Sequence, residues 1–545
     1  MNSFVNIVLR IRLLVFLPGI LLTIDTLAQS GISNVWNADN GDGTYKNPVI
    51  HADYSDPDVV RVGDDYYMTA SSFNCVPGLP VLHSRDLVNW ELIGHALKTL
   101  VPEDVFNSPQ HGNGVWAPCI RYHNDEYYIY YPDPDFGIYM IRASDPGGPW
   151  TEPILVKGGK GLIDPSPLWD DDGKVYLTYA FAGSRAGIKS VIVVAEMNDD
   201  GTEVIGEEVM VFDGHDENPT VEGPKFYKRN GYYYIFAPAG GVTGGWQLVL
   251  RSKNIYGPYQ EKTVLAQGST SINGPHQGAW IDTRSGENWF IHFQDKEAYG
   301  RIVHLQPMKW IDDWPVIGID KDGDGIGEPV LSFKKPDVGG DFPPVSPPES
   351  DEFNGSRLGM QWQWHANPHI SYGFPSGNLG YYRLNCIPRP ENSENLWNIP
   401  NLLLQKLPAE EFMATTRITF NSRSGEEETG FVIMGEDYQY ISLKSVDGIL
   451  YVRVVNCRNA RTGGPETELF TEPVDQGEIY FRIRVDKNAV CSFSFSTDGK
   501  RYKTAGKSFE AKPGRWIGAK VGYFALRRGI TNDSGTVDID WFRIE

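Results

Sequence analysis

The acids that could work as a proton donor and a proton acceptor stand at one recurring kind of place. Asn47 to Arg61 reads NPVIHADYSDPDVVR, with Asp53, Asp56 and Asp58 gathered around Pro57. An Asp-Pro pair by itself marks a turn. Here the arrangement returns: Asp164 stands in IDPSPLW and Glu222 in EGPKFYK, and Trp116 in WAPCIRY and His276 in PHQGAWI take the corresponding places. Two carboxyls flanking one bond can protonate a leaving oxygen and activate a water, which is how a glycoside is hydrolysed. A third carboxylate close to the acid, the part Asp164 could take, raises the acid's pKa by like-charge repulsion.

The elements that must position these residues repeat too. Paired-aromatic runs occur at Tyr67, Tyr128, Tyr176, Tyr234 and Phe290, at spacings of 61, 48, 58 and 56 residues. Each follows a polar turn (GDD, HND, DDDG, RNG, SGE) and a short apolar strand. Five such hairpins predict an all-β fold, a propeller of five blades rather than a single sandwich meander. The first strand of a propeller blade runs beside the axis. The five recurring positions, each taken to precede such a strand, should therefore converge on one end of the axial funnel.

The remaining sequence sets the frame. A chain of 545 residues exceeds one core. Its formal charge of −21 argues against a nucleic-acid partner and suits a neutral polysaccharide fragment. Residues 1–28 read as a cleavable secretory signal: Arg10 and Arg12, an apolar core too short to span a membrane, and Thr26-Leu27-Ala28 before the cut. Its removal takes the charge to −22 and predicts a secreted or periplasmic protein with no membrane span in its mature form. The five cysteines lack disulfide or zinc spacing and are expected to be mostly free and buried, with Cys457–Cys491 the one plausible pair. Residues 29–46 read as a disordered lead-in, 47–333 as the propeller and 334–349 as a stiff Pro-rich linker. Residues 350–545, with alternating strands such as YISLKSVDGILYVRVV, read as a β-sandwich. Asp320, Asp322 and Asp324 imitate the start of a calcium loop, but Leu331 stands where the closing acid belongs, so a solvated turn is the better reading.

SDPDVVR, WAPCIRY, IDPSPLWDDDGK, VEGPKFYKRNGYYYIF, GPHQGAWID and HFQDKEAYGRIVHLQPMKW together resemble glycoside hydrolase family 43, in its β-xylosidase and α-L-arabinofuranosidase branch. The resemblance covers residues 47–545 and implies that the sandwich is concanavalin-like. By the same resemblance Asp56 is the general base, Glu222 the general acid and Asp164 the carboxylate that orients the acid. Arg301 matches an arginine that contacts the sugar beside the scissile bond, and Trp116 an aromatic wall. His276 matches a histidine near an axial metal ion, often calcium, or a water cluster, with no cofactor needed for the chemistry. Many xylosidases of the family place Phe before the third carboxylate; Ile163 stands here, which leaves xylose against arabinose open. Phe524, in VGYFALRR, is the sandwich residue expected at the pocket rim. The resulting expectation is an exo-acting, inverting hydrolase acting on hemicellulose oligosaccharides. The alternatives are an endo-arabinanase or galactosidase on a related propeller, or a non-catalytic carbohydrate-binding protein.

Overall fold

The computed structural model describes residues 31–391, 393–529 and 531–545. The proposed signal, 1–28, lies outside them. Among the described residues, five four-stranded antiparallel sheets follow one another in chain order, each strand beside the next. Their first strands are Asp58–Val62, Cys119–His123, Leu162–Trp169, Lys225–Arg229 and His276–Asp282. The fold is a five-bladed β-propeller, as the repeat predicts.

The aromatic second strands explain why the blades stack. Side chains alternate along a strand, so one strand serves both of its neighbours. Tyr127 and Tyr131 join Val81 and Leu79 of the preceding blade. Tyr128 and Tyr130 join Leu177 and Tyr179 of the following one. Phe236 and Phe290 meet across the fourth and fifth blades, ring centroids 6.1 Å apart. Burying one such side chain contributes on the order of 2–3 kcal/mol.

The ring closes through the segment expected to be disordered. Residues 31–46 are ordered instead: Thr44–Lys46 pairs antiparallel with Ser332–Lys334. Tyr45 is fully buried, and its hydroxyl donates to Leu305 O at 2.8 Å. Asn47 amide hydrogens reach Leu305 O and Val330 O, both at 2.8 Å. The Pro-rich segment, expected to be a stiff linker, is tied down along its length. Lys335 pairs with Asp39 and Asp86, and Glu349 accepts from Ser33 Oγ and Asn34 N. For the lead-in, polar glycine-rich composition suggested disorder, and the buried Tyr45 with its partners removes it.

The C-terminal part is a β-sandwich of an eight-stranded and a seven-stranded sheet among the described residues. Trp362, Phe431, Tyr523 and Phe542 lie in its core. Ala298 and Tyr299 of the propeller belong to the same buried cluster. Val76 and Trp364 exchange backbone hydrogen bonds of 3.0 and 2.6 Å, and Asn367 bonds both polar groups of Leu100. All five cysteines are buried and free, so Cys457 and Cys491 do not pair. No helix among the described residues is long and apolar enough to cross a membrane.

Candidate active site

The three acids around Pro57 have three different jobs. Asp58 is fully buried; its Oδ2 accepts from Ile120 N at 2.7 Å and from Arg121 at 2.8 Å, pinning the first blade to the second. Asp53 accepts from Arg301 N and from Gly518 N, both at 2.9 Å, and so ties the propeller to the sandwich. Asp56 alone faces the cavity. Its Oδ2 accepts from the hydroxyls of Ser55, at 2.6 Å, and Ser71, at 2.5 Å. Arg301 donates to Ser55 Oγ at 2.8 Å and lies 3.4 Å from both Asp56 oxygens. The hydrogen-bond partners of this carboxyl among the described residues are all donors, so it acts there as an acceptor.

Asp164 and Glu222 line the same cavity, from the third and fourth blades. Asp56 and Asp164 hold left-handed backbone, φ 55° and 59°. For a non-glycine residue this is uncommon and concentrates at functional sites. Asp164 lies on a bulge inside its strand, not before it. Its Oδ2 accepts from Gly223 N at 2.7 Å and from Gln277 Nε2 at 3.5 Å. Gly223 sits at φ +61°, and a Cβ there would stand 2.8 Å from Gln277 Cγ; glycine lets the Glu222 turn approach Asp164 this closely. Glu222 Oε1 meets His276 Nε2 at 3.0 Å.

Burial pushes the Asp164 carboxyl well above its ordinary value, the negative charge of Glu222 adds to this, and the Gly223 N–H opposes it. The sequence reading has Asp164 as the charge acting on its neighbour; in the structure the charge of Glu222 also acts on Asp164.

Two of the five corresponding positions also need a correction of one residue. Strand pairing sets Val60, Arg121, Leu168 and Tyr227 opposite Tyr67, Tyr128, Tyr176 and Tyr234. Counted back from these, Asp56 and Asp164 are equivalent, but Trp116 and Glu222 stand one residue earlier. His276 opens its strand rather than preceding it. The side chains still converge on one cavity of about 640 Å³. That is the size of a small-molecule site. Beneath it the axis is filled: Arg121 bonds Asp58 and Ser166, and Lys225 Nζ donates to Pro118 O at 2.7 Å.

Phe73, Trp116, Ile163, Phe181 and Arg301 form the walls, and Phe181 supplies an aromatic face beside Ile163. Phe524 is not among them. It is 1% exposed, on a sandwich strand facing a second buried cluster, its ring against Gly430 and Tyr440. The strand buries both faces, so an aromatic there has no route to the rim. The sandwich residue that does reach the cavity is Trp516, edge-on to Trp116 with centroids 6.4 Å apart. Sequence reasoning missed it, although KPGRWIG carries the signal of an aromatic on a tight Pro-Gly loop.

The residues around His276 fit a metal poorly. Its Nδ1 is buried without a partner and could take one ligand. Calcium takes roughly 6–8 oxygens, and Glu222 is the one carboxylate bonded to this histidine. The group of three acids close enough to hold an ion, among the described residues, is Asp320, Asp322 and Asp324 on the surface. There Asp320 already accepts from Gly323 N and Gly325 N, as a plain turn does.

A propeller that gathers three carboxyls, an arginine and aromatic walls in one axial cavity defines a glycoside-cleaving enzyme. Residues 45–315 match the glycosyl hydrolases family 43, and residues 350–545 match the beta xylosidase C-terminal concanavalin A-like domain. A relative in Xylanibacter ruminicola is 38% identical over 496 residues, 89% of this chain and 86% of the relative. A beta-xylosidase of Formosa agariphila is 31% identical, across 92% of this chain and 90% of its own. A non-reducing end alpha-L-arabinofuranosidase of Bacteroides ovatus is 29% identical, across 79% of each. The crystal structure of the BlXynB protein from Bacillus licheniformis superposes with a TM-score of 0.79 at 28% identity, covering 92% of this chain and 99% of that one. The chain belongs to glycosyl hydrolase family 43.

Proposed function

We propose that this enzyme removes single terminal β-D-xylosyl or α-L-arabinofuranosyl units from hemicellulose oligosaccharides, with inversion and no cofactor. The observation that carries this reading is the shared cavity: Asp56, Asp164 and Glu222 line it from the first, third and fourth blades over a filled axis. A cavity with that floor admits a chain end rather than a chain middle. Asp56 is the base. The hydroxyls of Ser55 and Ser71 fix its oxygens, and it takes a proton from the water that attacks the anomeric carbon. Glu222 is the acid that faces the cavity and protonates the leaving oxygen. Asp164 positions the Glu222 turn by accepting from Gly223 N. Arg301 holds Asp56 and presents its guanidinium to the sugar. Trp116 and Trp516 form the wall against which the sugar ring packs.

Asp56 and Glu222 come from non-adjacent blades, which leaves room for a water between them, at roughly the 6.5–9.5 Å of inverting enzymes rather than the ~5–5.5 Å of retaining ones. Names of relatives support both pentoses, and Ile163 in place of an aromatic favours neither. Proton NMR on a β-xyloside tests the mechanism: the α-anomer of xylose appears first and then mutarotates. Initial β-xylose, or a glycosyl-enzyme trapped by a fluorosugar, would overturn it. Rates on p-nitrophenyl xyloside and arabinofuranoside assign the sugar. Export is part of the same reading, and the mature protein is expected to begin at Gln29.

A further inference from the structure

The chain carries 70 acidic and 49 basic residues, yet cations without ion-pair partners stand around its cavity. Lys189 lies on an exposed loop of the third blade that lines the mouth. Arg515 comes from the sandwich and reaches the cavity through Trp516, which lines it, its guanidinium 4.4 Å from that ring. Neither is ion-paired among the described residues. Arg185 adds a third cation, 5.4 Å from the Trp116 ring, partly offset by Asp135 at 3.4 Å. Burial first, and then the charges of Arg461 and Arg185, hold the Arg515 guanidinium below its ordinary value, with Glu436 opposing.

Cations left without partners at a binding mouth need an explanation, because the floor holds Asp56, Asp164 and Glu222. A neutral oligosaccharide gains little from them. A substrate bearing a carboxylate would be repelled by that floor unless the rim offset it. At physiological salt, charges act over roughly 8 Å, so the rim outweighs the net charge of the whole protein.

We propose that the cavity mouth accepts oligosaccharides carrying a uronic-acid branch beside the terminal sugar, and that Lys189 and Arg515 determine this specificity. The proposal rests on the exo-glycosidase reading above. Each cation faces the branch carboxylate while the terminal neutral sugar enters the cavity.

The test compares xylotriose with xylotriose bearing one glucuronosyl branch on its middle unit. The readout is the ratio of kcat/KM, branched over plain. In about 50 mM salt, Lys189→Ala and Arg515→Ala are each expected to lower this ratio about two- to fivefold, the worth of one exposed ion pair. Arg515→Lys keeps the charge and should keep the ratio, which separates charge from packing on Trp516. About 1 M salt, where screening shortens to roughly 3 Å, should lower the parent's ratio toward that of the double variant. An unchanged ratio in the double variant, or a ratio indifferent to salt, would overturn the proposal. Turnover of plain xylotriose by the parent reports separately on the underlying reading, whose failure would show as no release at all.

Discussion

Replacing Asp53 tests whether the sandwich is part of the active site or only its neighbour. One carboxylate, 5% exposed, accepts from Arg301 N and Gly518 N. Gly300, at φ +74°, leaves it the space: a Cβ there would stand 2.4 Å from Asp53 Cγ. Asp53→Ala removes both bonds and strands two buried N–H groups. Hydrogen bonds to a charged partner are worth about 1.5–3 kcal/mol each, so the loss comes to about 3–6 kcal/mol. Asp53→Asn keeps one acceptor oxygen and turns an amide hydrogen on the other N–H, so it should lose about half as much. Activity should fall further than stability alone explains. Arg301 carries the guanidinium beside Asp56, and Gly518 anchors the loop that carries Trp516. Misplacing such groups by about 1 Å can cost on the order of 10²-fold. Thermal midpoints, and kcat/KM on a p-nitrophenyl glycoside at a temperature where the variant stays folded, give both quantities. A destabilised Asp53→Ala with parental turnover would refute the claim that these bonds position the site. A parental midpoint would refute the bonds themselves.

Asp56→Ala and Glu222→Ala should each keep the parent's circular dichroism and lose about 10²–10⁴ in rate. The Glu222 loss should shrink on substrates with good leaving groups, and the Asp56 loss should not; equal rescue of both would sink the assignment. Asp164 has a raised carboxyl, so the native state holds a proton that the unfolded chain releases above the ordinary 3.8. The parent's stability therefore declines as pH rises from there through the raised value. Asp164→Asn should gain stability relative to the parent as pH rises above about 4 while losing activity; a difference in midpoint that stays constant with pH would contradict the raised Asp164 carboxyl. A chain ending at Pro348 lacks Trp516 and uncovers Ala298 and Tyr299, so it should be inactive or insoluble, and full activity from it would refute the shared site.

The blades were legible because the aromatic second strand must serve two neighbours at once, and that demand repeats at blade spacing. The acids that line the cavity were legible because Asp56 and Asp164, each left-handed and each before a proline, leave an Asp-Pro pair at the start of a blade. Glu222 shows how far the trace reaches: Gly223 takes the left-handed position, so the acid sits one residue earlier, and spacing alone cannot show that shift. Division of labour was not legible at all. Asp53, Asp56 and Asp58 are the same residue type within six positions, and only the distant partners Gly518, Ser71 and Ile120 tell them apart. Phe524 and Trp516 failed for the related reason that both are aromatics near glycine. Strand alternation places Phe524 against Gly430, whereas a loop carries Trp516 out.

That loop explains why two domains share one cavity. Trp516 has φ 63°, a conformation that costs a bulky residue on the order of 1–3 kcal/mol and persists only where its surroundings impose it. The surroundings come from both domains. Gly514 N donates to Ile517 O at 2.9 Å within the loop, and Asp53 of the propeller holds Gly518. Ile517 packs with Phe73 and Cys75 of the first blade. On the other side Gly112, at φ +78°, leaves the notch that the loop fills: a Cβ there would stand 2.3 Å from Arg515 Cγ and 3.0 Å from Trp516 Cδ1. The carbonyl of the same Gly112 accepts from Trp116 Nε1 at 2.9 Å, and the next residue upstream, His111, stacks on Trp397 of the sandwich at 3.7 Å. The two tryptophans of the wall are thus fixed by one another's domain. Neither folding unit can set the shape of the cavity alone, and the strain at Trp516 is sustained by docking.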